Sequence, residues 1–311
     1  MGHNISQASL GTGGNNVEHS VELAASPGAL LRPNDVPCID FKPRYLKLRA
    51  RRELVHVHEV EERLRGRNGC LRIRDAQGNR FVFKHNTGGR FAFLLDTRER
   101  NRRDANNVIA SRILRDVFCL PAMLYHQATL RFPSGQALSG VISEYVENLR
   151  PLEHVTPEKI LNKDELLAQS IVLCWFGDID RITNIDNDVV DSSGIYRSLD
   201  FDFCFYKGVS SLGLPNISRV IVQRFLAAAA TKPYLDYITN LSDVEIRTIV
   251  EHIGREWVVD WNEAESSRIS SILIYNRTKI QFLSRQIHLG HLSNRSKFAS
   301  ARATGKFLQY L

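Results

Sequence analysis

The chain is 311 residues long, 43% hydrophobic and 24% charged, an ordinary balance for a globular protein with length enough for a real core. Its formal net charge of +7 makes phosphorylated ligands, nucleic acid or anionic lipid natural partners. Nothing approaches the ~18 consecutive apolar residues of a membrane-spanning helix, and no secretory h-region is present. The five cysteines are widely spaced and never in a C-x-x-C pair, which excludes a disulfide scaffold or zinc ribbon and fits a reducing, cytoplasmic setting.

In chain order, residues 1–45 are rich in Gly, Ser, Asn and Pro without apolar periodicity and read as a mobile leader. Met1 to Ser6 fits the myristoylation pattern with Gly2 as acceptor, which would give a marginal membrane anchor in a eukaryotic host. A basic cluster runs from Lys42 to Arg52, and a second holds Arg98, Arg100, Arg102 and Arg103. Both read as solvated faces. The second has no interleaved aromatics, so nucleic acid is a disfavoured partner.

Structure is expected from about Leu46. Cys70–Arg74 and Arg80–Lys84 alternate apolar and polar residues and are joined by Asp75-Ala-Gln-Gly-Asn79, the pattern of a hairpin. Val108, Ile109, Ile113, Leu114 and Val117 predict a helix from Asp104 to Phe118, with Asp104 in its first turn or as its cap. Strands are expected around Met123–Phe132 and Leu138–Tyr145, turning at Pro133-Ser-Gly135. Beyond a linker at 146–151 the chain reads as helical over roughly 164–176, 217–230, 243–254 and 262–287, with a short hairpin within 186–208. The expected fold is α+β and two-lobed: a small antiparallel-sheet N-lobe with one helix (46–147), then a larger, mainly helical C-lobe (148–311).

The chemistry concentrates in Phe176-Gly-Asp-Ile-Asp-Arg-Ile-Thr-Asn-Ile-Asp-Asn187, followed by Ser198-Leu-Asp-Phe-Asp-Phe203. An Asp-Arg pair, nearby amides and an Asp bounded by apolar residues form a phosphoryl-transfer pattern. One carboxylate orients a nucleophile, while an amide oxygen and a second carboxylate hold Mg²⁺ against nucleotide phosphates. Asp200 is preferred over Asp202 because a strand would send the two to opposite sides, and Leu199 and Phe201 flank Asp200. Asp178 replaces Asp180 as base if the register slips, and Asp186 and Asp188 read as solvated loop acids.

A strand lysine, a helix, a linker, a catalytic loop and a metal Asp follow in the order of a protein-kinase-like fold. The chain resembles the HipA-like kinases, relatives of the phosphatidylinositol kinases. The resemblance is carried by Phe81-Val-Phe-Lys84, Asn106–Leu114 with Leu120-Pro121, Trp175–Val190, Leu199-Asp-Phe201, and Trp261 with Leu273–Arg277. It implies an ATP- and Mg²⁺-dependent kinase acting on a hydroxyl, with a protein Ser/Thr substrate expected. Lys84 would contact the nucleotide phosphates, with Glu144 and Val146 as further nucleotide contacts. Asp180 would be the base, Arg181 would offset phosphate charge, and Asp200 with Asn184 or Asn187 would hold metal. Asn107 stands where the family has a glutamate that pairs with the lysine, and Ile185 stands where it has the metal amide. The nearest candidate for a glycine-rich loop is Arg65-Gly-Arg-Asn-Gly69. These departures motivate a second reading, a pseudokinase scaffold. The basic charge and Gly2 motivate a third, a lipid kinase at an anionic membrane surface.

Overall fold

The computed structural model describes residues 52–64, 70–85, 97–178, 187–206 and 229–288. Its first part is a barrel of five strands: β1 (Arg52–Arg63), β2 (Cys70–Asp75), β3 (Arg80–Lys84), β4 (Tyr125–Arg131) and β5 (Ala137–Glu144), in the closed order β1-β2-β3-β5-β4. The expected antiparallel sheet is thus corrected to a barrel. Closure comes from the twelve-residue β1, which has two partners. Its first half, Arg52 to His56, runs parallel to Gln127–Arg131 of β4, and its second half pairs antiparallel with β2. Register shifts between Val57 and Glu59 and between Val60 and Glu62 bend the strand, as bulges do at barrel corners.

The hairpin β2–β3 forms as its sequence predicts. The Asp75 carboxylate accepts the backbone N–H groups of Gln77 (3.0 Å) and Asn79 (2.8 Å), an Asx-type turn, and Gly78 takes the positive φ that the turn requires. Leu71, Ile73, Phe81 and Phe83 point inward to join Val55, Val57, Ala128, Leu130 and Ile142 in a compact barrel core.

Helix α1 (Thr97–Arg112) starts seven residues before the expected Asp104 and continues into a π-helical turn over Ile113–Val117. Asp104 is therefore a buried mid-helix residue and not a cap. The polar first half carries no apolar stripe, but Glu99 reaches Arg102 (3.5 Å) and Arg103 (3.4 Å) along the helix, and Arg103 lies over the Phe203 ring at 4.8 Å.

The rest is mainly helical: α2 (Lys163–Phe176), α3 (Lys232–Asn240), α4 (Asp243–Trp257) and α5 (Glu263–His288). A three-stranded sheet of β6 (Arg150–Pro151), β7 (Asp188–Val190) and β8 (Tyr196–Ser198) includes the expected short hairpin. Helix α3 escapes sequence reading because Pro233 looks like a breaker, yet it lies in the first turn, where its missing N–H costs nothing. Helix α2 ends at Gly177, whose positive φ lets its own N–H and that of Asp178 reach the carbonyls of Cys174 and Leu173 (both 3.1 Å).

The larger core runs from α1 through Phe118, Trp175, Phe176, Phe201 and Phe205 to α3, α4 and α5, so the helix expected to serve the sheet is shared with the helical part. β4 is buried along most of its length because the helices cover what the barrel does not. Among the described residues no helix is long and apolar enough to cross a membrane.

Candidate functional site

The last residue of β3 is Lys84, and β3 lies between β2 and β5. On the β5 side the backbone approaches so closely that a Cβ at Gly140 would sit 2.3 Å from the Lys84 carbonyl oxygen. The lysine side chain is buried and held between two carboxylates, with Nζ 2.5 Å from Asp200 and 2.7 Å from Asp202. Burial opposes its positive charge, but the two carboxylates outweigh burial and raise its pKa.

Both acids come from the turn that follows β8. The expectation that they face opposite sides fails because residues 199–206 do not form a strand. Asp200 adopts φ +61°, a left-handed conformation that Asp tolerates better than most residues, and the chain then turns so that the Cys204 N–H reaches the Phe201 carbonyl at 3.1 Å. Both carboxylates thereby reach the same ammonium. They are not equivalent. The Asp200 side chain is 22% exposed, whereas that of Asp202 is fully buried. Burial, then the neighbouring Asp200, pushes the Asp202 carboxyl up, and Lys84 and the Asn107 amide oppose this.

Three elements hold this turn. From β4, the Tyr125 hydroxyl accepts the Asp200 N–H at 3.0 Å, and its ring meets Phe201 edge-on at 6.0 Å. From α1, Asn107 accepts the Phe201 N–H (2.8 Å) and donates its amide to the Asp202 carboxylate. Its neighbour Asn106 donates to the carbonyls of Asp202 (3.1 Å) and Cys204 (2.7 Å). From α5, Arg268 donates to the Asn106 amide oxygen (3.0 Å) and to the Phe205 carbonyl. Asn107 therefore does not replace the glutamate as a charge for Lys84. It fixes the segment that supplies the charge. Glu99, in the first turn of the same helix, accepts from the Tyr206 hydroxyl.

Asn187 is buried, and its carbonyl accepts the Leu199 N–H at 3.0 Å, so the β7–β8 hairpin sets it next to the acidic turn. Asp188 is not a solvated loop acid: it is buried and accepts the Tyr196 hydroxyl at 2.8 Å, within a network reaching Ser198 and Gln169. Glu144 is buried and lies 3.5 Å from Arg197, which also reaches Asp191 at 3.2 Å; Val146 packs against the larger core. Asp178 is buried just beyond α2. Asp180, Arg181, Asn184, Asp186 and the glycine-containing stretch 65–69 lie outside the described residues. Trp261 packs against Gly254 and donates to Glu251 (3.0 Å), and Arg277 ties α5 to Asp243 (2.7 Å), so both belong to the helical scaffold.

No family model matches the chain, and no curated protein matches it. Among solved structures, a MAP kinase from Leishmania major aligns over 81% of this chain and 91% of its own, at 11% identity and a TM-score of 0.32. An apo pseudokinase aligns over 78% of this chain and 99% of its own, at 8% identity and a TM-score of 0.30. Likenesses this loose carry no argument about fold or activity, so the reading of the site rests on its own geometry.

Chemically, the cluster sets a buried cation against one partly exposed and one buried carboxylate. A phosphate-bearing ligand suits the lysine, and the exposed carboxylate is a hard oxygen donor. A magnesium ion needs only one or two such carboxylates, because phosphate oxygens and water complete its shell. Asp200 is the partly exposed carboxylate here, and the backbone carbonyl of Asn187 accepts the N–H of its neighbour Leu199. Among the described residues no group of three or more His, Cys, Asp or Glu could form an all-protein metal cage.

The sequence marks Lys84 and Asp200, whose side chains the structure brings together, but not Tyr125, Asn106, Asp202 and Arg268 as parts of the same assembly. Adjacent asparagines in the middle of a helix were the available signal, since amides gain little there unless they hold something.

Proposed function

We propose that this chain is a kinase-like phosphotransferase that binds ATP with Mg²⁺ and transfers phosphate to a hydroxyl. The observation that carries the reading is Lys84, a buried strand-end ammonium gripped by an Asp-Phe-Asp turn. Such a cation is expensive to bury and gains nothing for stability over an apolar residue, which favours a ligand-binding role. In this reading Lys84 meets the phosphates and Asp200 and Asn187 hold the metal, which would offset charge on the transferring group. Glu144 and Val146 border the nucleotide. Asp180 accepts the acceptor proton and Arg181 offsets phosphate charge. The likeness to HipA-like kinases, a protein Ser/Thr acceptor and a cytoplasmic setting belong to the same proposal.

Transfer of labelled γ-phosphate tests it. Asp200→Ala and Asp180→Ala are each expected to reduce incorporation by about a hundredfold or more, the scale lost with one well-placed electrostatic group. Full activity in either folded variant sinks the assignment of that residue.

A second reading has its own observation. Lys84 is neutralised by the acidic turn, and the helix offers it Asn107 where a glutamate would hold it for phosphate. A pseudokinase scaffold that binds nucleotide without turnover fits that arrangement. Magnesium-dependent ATP binding with no phosphate transfer to any Ser/Thr substrate, or to itself, is the result that would favour it.

A further inference from the structure

We propose that Asp202 is the standing counter-ion of Lys84, so that Asp200 is able to leave the ammonium for a metal ion. The inference rests on the phosphotransferase reading and deepens it.

A buried ammonium needs an anionic partner in every state the protein visits, with or without nucleotide, because removing the only partner of a buried charge is strongly destabilising. If Asp200 served both Lys84 and the metal, binding Mg²⁺ would leave the lysine with the nucleotide phosphates as its anionic partner, and with none whenever they are absent. The geometry divides the two tasks. Asp202 is fully buried, 2.7 Å from Nζ, and its carboxylate also takes the Asn107 amide. Its backbone carbonyl is pinned by Asn106, which Arg268 holds in turn. Asp200 reaches the same Nζ from a partly exposed position, at a turn residue with positive φ. The Asp202 carboxylate is thus held by Lys84 and Asn107 with its backbone pinned by Asn106, whereas the Asp200 carboxylate, which also accepts the Asp202 N–H at 3.4 Å, stands at the boundary with solvent.

Asn107 is then a positioning residue. It acts on Lys84 through Asp202, and the job given to a helix glutamate elsewhere is carried here by the acidic turn itself.

Two measurements test this. The first is the Mg²⁺ concentration for half-maximal ATP binding, followed by calorimetry. Under the proposal, Asp202→Asn raises it about tenfold, because Asp200 is then the lysine's one carboxylate and yields it reluctantly. Asn107→Ala raises it less. The second needs neither nucleotide nor metal. In urea unfolding, Asp202→Asn raises the unfolding equilibrium constant about tenfold more than Asp200→Asn does.

Equal or reversed effects on unfolding overturn the proposal, as does an unchanged Mg²⁺ requirement in a folded Asp202→Asn protein. If Asp202→Asn does not fold, adding Lys84→Met restores folding under the proposal, since the stranded cation goes with its counter-ion. A double variant that also fails to fold overturns it. A wild-type protein that binds no Mg²⁺ and ATP sinks the phosphotransferase reading instead, and the unfolding comparison still decides the counter-ion.

Discussion

His126 shows how strongly this interior punishes a change of charge. It is buried on β4 with the Arg112 guanidinium 3.3 Å away, and the Trp257 ring stands edge-on at 5.8 Å. Burial, and secondarily Arg112, pulls its pKa down from 6.5 to about 3. Between those values the unfolded chain binds a proton that the folded chain refuses. The histidine therefore contributes stability above about pH 6.5 that is lost as the pH falls toward 3, at up to ~1.4 kcal/mol per pH unit. His126→Gln is expected to flatten the stability–pH curve across that window, measured by urea unfolding at several pH values. An unchanged slope would show that His126 protonates freely in the folded state. Gly140 is a steric counterpart. A methyl group there meets backbone, which cannot swing aside as a side chain would, so Gly140→Ala is expected to cost about 1–3 kcal/mol and to displace Lys84. At this scale strand position and flanking apolar residues mark Lys84 and Asp200 in the sequence, and the structure brings the two side chains together. It misled over Asp202. The alternation rule holds only for extended chain, and the positive φ at Asp200 breaks it.

Among the elements, α4 is the most completely specified. Its Ser242 hydroxyl accepts the Glu245 N–H at 3.2 Å, and the Glu245 carboxylate accepts the Ser242 N–H at 2.7 Å, a full capping box. Ser242→Ala is expected to destabilise the protein by about 1 kcal/mol, read as a lower urea midpoint at unchanged slope. The expected range 243–254 starts where the helix does, at Asp243, and stops short of its end at Trp257. Helix α1 was legible only from Asp104 onward. Its first two turns carry Glu99–Arg pairs along the helix and are held in place by two partners distant in sequence, Phe203 under Arg103 and Glu265 against Arg102 (3.4 Å). Barrel closure was hidden for the same reason: nothing local in the sequence reveals that the two halves of β1 have different partners.

Across the whole molecule, the α+β content and the chain order of strand lysine, helix and short hairpin were readable, because each rests on local periodicity, whereas the turn that carries both acids was not. The convergence was not. It takes Tyr125 from β4, two asparagines from α1 and Arg268 from α5 to set Asp200 and Asp202 on Lys84. The central claim is that this convergence makes a nucleotide-phosphate and metal site. The most direct measurement is thermal unfolding with ATP, with Mg²⁺, and with both. The wild-type protein is predicted to be stabilised by both together far more than by either alone, by roughly 2.7 kcal/mol at a hundredfold excess over Kd. Asp200→Asn, which keeps the Lys84–Asp202 pair, is predicted to lose that Mg²⁺-dependent gain. No stabilisation of the wild type, or an equal gain in Asp200→Asn, would contradict the account.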